Sequence, residues 1–579
     1  MTVKDKVQRA AAAAVLSRLI KYVRKDPDTN LVKLVDRSER FVGNIFPAKN
    51  FDSFREGAKD PENVWRQLAL RLIDEIDDNV LMNMMLALGL GAGVNGTKTV
   101  RANREKYHCN IPWVILLDPT SACNRKCKGC WSAEYGHKQS LTFDELNSIV
   151  NQGVAMGTHF YMFTGGEPLL RKKDLIKLCE LHPDCAFLSY TNADLVDEEF
   201  CEEMKRVGNI SLAISIEGTK DSNDARRGEG SYDHVMKAMD LLKSKGCLFG
   251  ISVCYTRANV DAVTSDEFVD LMISKGVRFA WYFNYMPVGS AAVEELIPTP
   301  EQRTHMYRWL RKMRNSKTGK PMFVIDFQND AEYVGGCIAG GRNYFHINSA
   351  GDIEPCVFIH YSDSNIREQT LIEALKRPLF QAYWHGQPFN NNHLRPCPML
   401  ENPQCLRKMV KETGAKSTDL LAPEDVDGAI LSSVVPPING ALVAAVRMIT
   451  GIRPLVVGPG MKTGLNIALD NPATMGSDLV VGAAAALAMH APPLIIIDMG
   501  TATTMTVIDR EARVLGGAII PGVGISLEAL ASGTSQLPHI SLDAPKKCIS
   551  TDTIEAMRSG SVYGTAAMLD GMIARMEDE

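Results

Sequence analysis

Between residues 113 and 283, short apolar segments alternate with longer amphipathic segments, and this alternation constrains the fold more than any other feature of the sequence. Short apolar runs are typical of buried strands, and the segments between them have helical periodicity. Strands separated by helices pair in parallel through right-handed crossovers. The pattern predicts an α/β fold, a partial (β/α)6 barrel. The predicted strands are 113–118, 159–164, 186–191, 210–216, 248–255 and 278–283, and the predicted helices are 143–156, 172–181, 198–207, 232–245 and 266–275.

Three cysteines follow the first predicted strand at the spacing C-x3-C-x2-C, namely Cys123, Cys127 and Cys130. In parallel sheets, ligands bind at the C-terminal ends of the strands. Three thiolates on one loop can hold three irons of a [4Fe-4S] cluster and leave the fourth iron open, as a catalytic site requires. A zinc site is the alternative, and it would need a fourth ligand such as His137.

A Gly-Gly-Glu-Pro turn follows the second predicted strand and contains Gly165, Gly166 and Glu167. Glycines let backbone groups approach a ligand closely, and Glu167 adds a hydrogen-bond acceptor. The carboxyl ends of neighbouring parallel strands share one edge of a sheet. We therefore expect this turn to lie beside the three cysteines.

These two motifs together resemble the signature of the radical SAM superfamily. The resemblance implies a TIM-like barrel, an open iron that binds S-adenosylmethionine, and a Gly-Gly-Glu-Pro turn that contacts the amino group of this cofactor. The residue before the third cysteine is often aromatic in that family. Here it is Gly129, and Trp131 stands just after the cysteine.

The fourth predicted strand ends in Ser215 and Glu217, whose side chains project to one side because side chains alternate along a strand. A hydroxyl and a carboxylate there suit the ribose hydroxyls or the methionine end of the cofactor. Arg227 offers a two-pronged contact for the methionine carboxylate, and a solvated loop is the equal alternative. Weaker candidates for the polar lining are Asn192 and Asn259, and residues 284–289 are expected to border the substrate space or to form a plain turn.

Four further cysteines follow the sixth predicted strand: Cys337, Cys356, Cys397 and Cys405. The segment 345–353 is typical of a hairpin, which would bring Cys337 and Cys356 together. The pattern resembles the SPASM or twitch extension of radical SAM enzymes, which implies an auxiliary [4Fe-4S] cluster. Two reduced core cysteines plus a zinc site are the alternative. We interpret five more cysteines as core residues, namely Cys179, Cys185, Cys201, Cys247 and Cys254.

The sequence changes character near residue 424 and becomes rich in Ala, Gly, Ile and Val. An apolar strand at 494–498 enters a Gly/Thr turn, which is typical of a phosphate cradle. This part resembles type III pantothenate kinases, of the actin/hexokinase-like (ASKHA) fold, over residues 432–437, 457–464, 470–472, 476–478, 498–504 and 516–522.

The kinase resemblance implies specific roles for four residues of the tail. Asp478 would be the catalytic base, and Asp498 would bind a monovalent cation such as K+. Thr501 would lie at ATP and Thr553 near pantothenate. It also implies dimerisation, since intact relatives of this segment are dimers.

The tail departs from the kinase pattern in three respects. Leu469 and Leu479 stand where the family often has Tyr and Arg. No Asp-x-Gly-Asn-Thr phosphate loop precedes Asp427, and the chain ends at Glu579, before the family's last strands. We therefore expect a segment truncated at both ends with little or no kinase activity alone, because phosphoryl transfer depends on a positioned donor.

The predicted domains are a helical region (1–105), a radical SAM core (106–320), a SPASM-like extension (321–412), a linker (413–424) and the kinase-like segment (425–579). At 579 residues the chain is too long for one core, and a net charge of −5 indicates no nucleic-acid surface. The apolar run 80–94 is short for a membrane span and is interpreted as a buried helix. A helix that approaches a lipid substrate is the alternative interpretation.

Fourteen cysteines without a disulfide pattern fit the reducing cytoplasm. The leading hypothesis is a radical SAM enzyme with an unidentified substrate and an electron donor such as flavodoxin or ferredoxin. A kinase and a zinc-binding scaffold without catalytic activity are the two alternatives.

Overall fold

The computed structural model describes residues 3–42, 48–136, 138–288, 292–419, 426–458 and 461–579. Within the predictions above, His137, Gly289, the linker residues 420–424 and residues 459–460 of the kinase-like motifs lie outside the described residues. The chain divides into two compact units, Met1–Ala422 and Pro423–Glu579. We describe each unit by itself.

The first unit begins with helices that pack beside the sheet. They are α1 (Val3–Lys25), α2 (Pro27–Val42), α3 (Ala48–Lys59), α4 (Val64–Glu75), α5 (Asp78–Met85), a π-helix (Leu86–Gly96) and α6 (Thr97–Tyr107). In the described chain, the run Asp78–Tyr107 is long and apolar enough by composition to cross a membrane, and 44% of its apolar window is buried inside the protein. Burial to this extent is also typical of a core helix.

The central region alternates strands and helices in the predicted order. Its elements are β1 (Val114–Leu117), α7 (Phe143–Met156), β2 (Phe160–Phe163), α8 (Lys172–Leu181), β3 (Ala186–Thr191), α9 (Glu198–Val207), β4 (Ile210–Ser215), α10 (Lys220–Arg227), α11 (Ser231–Ser244), β5 (Phe249–Tyr255), α12 (Val260–Thr264), α13 (Asp266–Ser274), β6 (Phe279–Asn284), α14 (Pro300–Met313) and β7 (Phe323–Asp326). The predicted α/β fold with a parallel sheet is thus confirmed.

The sheet is larger than six strands, because the chain after β7 returns to it. β8 (Tyr344–Ile347) pairs in parallel with β1, and β9 (Ile353–Glu354) pairs with β8 as an antiparallel hairpin. The strand order is β7-β6-β5-β4-β3-β2-β1-β8-β9. No helix separates β7 from β8, so the alternation of strands and helices stops at β7. The sequence pattern ended at β6 and did not reveal that β7 and β8 belong to the sheet.

Alternate side chains of each strand enter two different apolar clusters. In β1, Ile115 and Leu117 pack in the cluster between sheet and helices, whereas Val114 and Leu116 belong to a second cluster on the inner face. All four are buried, which explains why β1 appears as an unbroken apolar run. The inner face surrounds the cavity described below.

The first unit ends with short elements that follow the hairpin. They are β10 (Tyr361–Ser362), α15 (Leu371–Leu375), α16 (Pro378–Gly386), α17 (Pro403–Thr413) and β11 (Lys416–Ser417), and β11 pairs with β10. Val357 and Ile359, which follow the hairpin, pack in the inner apolar cluster. This part of the chain therefore completes the inner face of the sheet.

The second unit contains β12 (Ile430–Leu431), α18 (Pro436–Thr450), β13 (Leu455–Val456), β14 (Asn466–Ile467), α19 (Ser477–Met489), β15 (Leu494–Met499), β16 (Ala502–Ile508), β17 (Arg513–Pro521), α20 (Val523–Gly533) and α21 (Thr553–Asp578). Its main sheet has the order β14-β17-β16-β15, and β12 pairs with β13 alone. A small cluster around Ala483, Ile508 and Val514 is fully buried.

Candidate active site

One cavity of about 350 Å³ lies on the inner face of the sheet. Side chains from seven strands line it, so the sheet curves around it. Its two ends differ in chemistry. The polar end, at the C-terminal ends of the strands, is lined by Cys123, Arg125, Cys127, Gly129, Cys130, Thr164, Gly165, Gly166, Glu167, Thr191, Asn192, Ser215, Arg226, Arg227, Cys254, Asn284 and Tyr285. The apolar end is lined by Trp113, Val114, Leu116, Phe160, Met162, Tyr190, Trp281, Phe283, Phe327, Ile338, Tyr344, Val357 and Phe358.

The three-cysteine loop is held at the polar end by its own polar residues. Asn124 and Arg125 both donate hydrogen bonds to the Asp194 carboxylate, which follows β3. The backbone N–H of Lys128 donates to the Arg226 carbonyl at the end of α10, at 2.8 Å. Burial opposes ionisation of Asp194, but hydrogen bonds from Arg125 and His234 outweigh it and lower its pKa. The loop is therefore anchored to two neighbouring strand–helix units.

The surroundings of two loop thiols, Cys123 and Cys130, favour the protonated form. Burial raises the pKa of Cys123 to about 11, and the nearby Glu167 and the other two thiols act in the same direction. Burial also raises the pKa of Cys130. A metal must therefore displace protons when it binds these sulfurs.

The spacing of the loop sulfurs bears on the choice between zinc and a cluster. Within the described residues, the one group with three ligand atoms all within 4.8 Å of one another is His159, Asp184 and Cys185, at the opposite ends of β2 and β3. Sulfurs on one tetrahedral zinc ion lie about 4 Å apart. The three loop sulfurs do not form such a group in the described structure, so at least one pair of them lies more than 4.8 Å apart.

The glycines of the Gly-Gly-Glu-Pro turn let it pack directly on the cysteine loop. A Cβ on Gly166 would lie 2.0 Å from the Ala122 carbonyl oxygen, and Gly165 has φ +103°. The N–H groups of Gly166 and Glu167 donate to the carbonyls of Thr120 and Ala122, at 3.0 and 2.8 Å. These two amides therefore bind the cysteine loop. We expected the glycines to let the backbone approach a ligand, and in the structure they let it approach the backbone of this loop.

The Glu167 carboxylate is buried and accepts three hydrogen bonds. Its oxygens receive the Leu169 N–H at 3.0 Å, the Thr191 hydroxyl at 2.8 Å and the Asn192 N–H at 2.8 Å. Burial raises the pKa of this carboxyl, although the three donors act against the shift. The side chain is fixed with its carboxylate at the polar end of the cavity.

Tyr285 explains why glycine stands before the third cysteine. Gly129 has φ +66°, and a Cβ there would lie 2.5 Å from the Tyr285 hydroxyl oxygen. Tyr285 is 1% exposed and follows β6, and its hydroxyl accepts the Val293 N–H at 2.9 Å. An aromatic ring from a distant part of the chain therefore occupies the space beside the loop.

The residues predicted around the fourth strand do not all line the cavity. Ser215, the last residue of β4, lines the cavity as predicted from its position. Glu217 is fully buried outside the described lining, where one carboxylate oxygen accepts hydrogen bonds from Arg226 and Arg227 at 2.5 and 2.8 Å. Asn259 donates to this same glutamate. The two-pronged contact of Arg227 is thus made with Glu217, because the chain turns back through α10.

Two residues at the polar end differ in how well the sequence predicted them. Cys254, which we interpreted as a core residue, faces the cavity, because Ser252 and Cys254 alternate with the outward Ile251 and Val253 along β5. Asn284 belongs to the segment expected to border the substrate space, and it lines the cavity. It is 2% exposed, and in the described structure neither its side-chain nitrogen nor its oxygen has a hydrogen-bond partner. The polar-in, apolar-out alternation of β5 was a usable signal for Cys254.

A buried charged network lies beneath the cysteine loop and was also missed. His346 Nε2 is 2.9 Å from Asp118, and its Nδ1 is 2.6 Å from Glu354. Burial alone would lower the pKa of His346, but the two carboxylates outweigh it and raise the pKa to about 10. The ring of Trp131 packs edge-on against His346. The network ties β1, β8 and β9 together next to the loop.

Three of the four later cysteines form a group. Cys356 is buried and Cys397 is half-buried. Desolvation raises the pKa of both thiols, and the nearby Cys337 thiol acts in the same direction on each. The Tyr344 hydroxyl and the Cys356 thiol share a hydrogen bond of 2.8 Å. Cys405 lies in the first turn of α17. It is not among the charged or polar groups described as acting on the other three thiols, so it is not part of their group.

In the second unit, the four predicted kinase residues do not share one described cavity. Asp478 lies in the first turn of α19, Asp498 in β15, and Thr501 in the exposed turn before β16. Thr553 lines a cavity between α20 and α21, whose described lining does not include the other three. The Gly522 N–H donates to the Thr501 carbonyl at 3.1 Å.

Two family models match the chain. The radical SAM superfamily model matches residues 117–272, and the type III pantothenate kinase model matches residues 400–575. Among solved structures, the first unit resembles SuiB of Streptococcus suis bound to S-adenosylmethionine, with 18% identity over 52% of this chain and 75% of that one and a TM-score of 0.43. It also resembles anSMEcpe with bound AdoMet, with 20% identity over 46% of this chain and 80% of that one and a TM-score of 0.39.

The kinase match begins earlier than we expected, since it includes α17 of the first unit. Both matches agree with the motifs quoted from the sequence. The chain therefore carries a radical SAM domain over residues 117–272 and a type III pantothenate kinase domain over residues 400–575.

Proposed function

We propose that the first unit reductively cleaves S-adenosylmethionine at a [4Fe-4S] cluster held by Cys123, Cys127 and Cys130. The observation that carries the proposal is the meeting of these three thiols and the Gly-Gly-Glu-Pro turn at one end of an enclosed cavity. The match of residues 117–272 to the radical SAM superfamily model supports a cluster over a single zinc ion. When bound, the cluster supplies one electron to the sulfonium, which releases methionine and a 5′-deoxyadenosyl radical that takes a hydrogen atom from the substrate.

The charges of the polar end support cofactor binding there. Arg226 and Arg227 face the single carboxylate of Glu217, so this wall keeps a net positive charge. We propose that it attracts the methionine carboxylate. The Glu167 carboxylate would accept from the amino group, and Ser215 from the ribose hydroxyls.

The walls of the cavity also control access of water. A radical formed in an enclosed cavity is protected from side reactions with solvent. Asn284 adds a fixed donor and acceptor beside the reacting space. Buried polar groups of this kind are normally satisfied by a partner, so we propose that Asn284 binds the cofactor or the substrate.

We further propose an auxiliary [4Fe-4S] cluster on Cys337, Cys356 and Cys397, with Cys405 as the fourth ligand. The grouping of the first three thiols supports it. Tyr344 lines the apolar end of the cavity and also contacts Cys356, so it lies between the cavity and this group of thiols. We propose flavodoxin or ferredoxin as the electron donor and the cytoplasm as the location.

The test is anaerobic reconstitution of the full chain, followed by measurement of iron, sulfide, zinc and 5′-deoxyadenosine. The Cys127→Ala variant should lose 5′-deoxyadenosine formation, and the exposed Cys548→Ala should behave like the wild type. Wild-type protein that binds zinc and no iron would overturn the proposal. Undiminished cleavage by Cys127→Ala would also overturn it.

A kinase is the second candidate, because the type III pantothenate kinase model matches residues 400–575. We propose that the second unit has little or no pantothenate kinase activity by itself, since Thr553 does not share a described cavity with Asp478, Asp498 or Thr501. ATP titration of the full chain with K+ and pantothenate tests this. Tight ATP binding with rapid pantothenate phosphorylation would overturn it, and sedimentation tests the proposed dimer.

A further inference from the structure

The cavity continues far beyond the space that the cofactor motifs surround. Val114 and Phe160 begin β1 and β2, and both line the cavity, as do the cysteines past the other ends of the strands. A four-residue strand is about 13 Å long at 3.3 Å per residue. The cavity therefore runs along the full length of these strands, and its apolar end lies at the strand ends farthest from the three thiols.

Charge is confined to one end of this space. The charged residues in the described lining are Arg125, Glu167, Arg226 and Arg227, and all belong to the polar end. The other end is formed mainly by aliphatic and aromatic side chains such as Leu116, Met162 and Phe283, and Asn343, just before β8, is its one polar amide in the described lining. A charged group placed there would lose its hydration without a charged partner, so this end favours a largely apolar occupant.

A peptide would fit this apolar end poorly. Each peptide unit carries a donor and an acceptor that must be satisfied when water is excluded. The tyrosine hydroxyls in the wall already have partners, since Tyr190 donates to the Met162 sulfur and Tyr344 pairs with Cys356. A hydrocarbon chain makes no such demand.

The far end of the cavity lies against the apolar π-helix. Trp113 packs edge-on against Phe160, and its indole N–H donates to the Ala92 carbonyl of this helix at 3.4 Å. Phe160 also packs in a cluster with Met84 and Ala87. Gly91 and Gly96 allow the helix to approach, because a Cβ on them would lie 2.4 and 2.5 Å from backbone oxygens.

Three apolar side chains on or near this helix are partly exposed to solvent. Val94 of the π-helix is 43% exposed, Met85 at the end of α5 46%, and Trp113 just before β1 37%. Helices that place apolar residues outward beside an apolar cavity are suited to receiving a chain from a lipid surface. Trp113 belongs both to this exposed set and to the lining of the cavity.

We infer that the substrate of the first unit is the long hydrocarbon chain of a lipid, which enters past the π-helix and occupies the apolar end of the cavity. This inference rests on the proposed function for the identity of the reaction. A C–H bond of the chain would then lie beside the polar end, where its hydrogen atom passes to the 5′-deoxyadenosyl carbon and leaves a carbon radical on the chain.

Binding of labelled palmitate to the full chain tests the inference without any need for a loaded cluster. We expect saturable binding that strengthens roughly tenfold for every two methylenes between C8 and C16, because each buried methylene contributes. Leu116→Trp should abolish binding by filling the apolar end. The matched control is Leu181→Trp at the surface, where Leu181 is 53% exposed, and it should bind like the wild type.

The second readout uses perdeuterated chains with reconstituted enzyme. Deuterium should appear in 5′-deoxyadenosine, and separate reactions with free palmitate and with dipalmitoyl phosphatidylglycerol in mixed micelles distinguish a free acid from a lipid-bound chain. Failure of palmitate to bind, or equal binding by Leu116→Trp, would overturn the inference. Recovery of the abstracted hydrogen from a peptide would also overturn it.

The two proposals fail in different ways. Palmitate binding that survives in Cys127→Ala, together with no cluster in the wild type, would overturn the proposed function and leave the lipid site standing. Cofactor cleavage without any binding of an apolar chain would do the reverse. Leu116→Trp should keep its iron content, which shows that the variant is folded and that its loss of palmitate binding is local, since the substitution lies outside the polar end.

Discussion

In the first unit, Ile115, Leu117 and Phe163 are completely buried between the sheet and its helices. In the second unit, Ile430, Ile519 and Ile549 remain 66%, 76% and 83% exposed. Burial of apolar surface is the main favourable term in folding, and it must offset the conformational entropy of the chain. Two segments that each match a known family therefore differ in how far their own residues can hold them together.

The comparison teaches that a family match and a self-sufficient core are separate properties. The first unit surrounds its site with residues from seven strands, and these residues are packed on both faces. The second unit has a small buried cluster, and its predicted functional residues lie mostly on exposed turns and edges. Precise positioning of a site depends on rigid packing around it, so we expect chemistry from the first unit.

Hydrogen exchange should give the largest difference between the two units. We expect the amides of β16 to exchange on the order of a thousandfold faster than those of β4, because little apolar burial opposes local opening in the second unit. Mass spectrometry of the full chain after timed exposure to deuterium measures this. Equal protection of β4 and β16 would remove the basis of the comparison.

Gly166→Ala should be the most damaging small substitution in the first unit. The added methyl would lie 2.0 Å from the Ala122 carbonyl oxygen, so the cysteine loop must move. We expect a loss of about a hundredfold or more in 5′-deoxyadenosine formation, as misplacement by about 1 Å commonly causes. The matched control is Gly482→Ala in α19, where nothing lies within 4 Å, and it should stabilise by about 0.5–1 kcal/mol. Unchanged activity of Gly166→Ala would show that the contact is not needed.

His346→Gln should destabilise the first unit by about 3–5 kcal/mol, because it leaves buried carboxylates without their charged partner. The pKa of His346 is raised to about 10, so its stabilising effect is complete below about pH 6.5 and disappears as the pH rises through about 10. The difference in Tm between wild type and variant should therefore shrink over this range.

The control for this substitution lies in the second unit. Asp509→Asn weakens a surface pair with Arg513 and should change Tm much less than His346→Gln does, because water screens surface charges. A constant difference in Tm between wild type and His346→Gln from pH 6 to pH 10 would contradict the charged state of His346.

Ile519→Lys should have the smallest effect on stability, within about 0.5 kcal/mol, because Ile519 is 76% exposed. It should reduce self-association of the full chain, which light scattering measures, since it breaks an exposed apolar strand face. A large loss of stability would show that something covers this face in solution.

Much of the first unit was predictable from local patterns. The six apolar segments became β1 to β6, and the capping box at Thr142 marks the start of α7. β7 and β8 were missed as members of the sheet because neither is followed by a helix of its own, whereas the equally short β1 and β2 are. For the site, the three cysteines and the Gly-Gly-Glu-Pro turn were found because each motif is contiguous in the sequence.

The sequence by itself determined the parallel α/β fold and the motif at the polar end, because periodicity and spacing act over a few residues. Only the tertiary structure decided which residues from distant parts of the chain contact one another. It pairs Glu217 with two arginines, places Tyr285 beside Gly129, buries His346 between two carboxylates and brings Trp113 to the far end of the cavity. Each of these contacts joins separate strands or loops, so its energy depends on chain packing that no local pattern encodes.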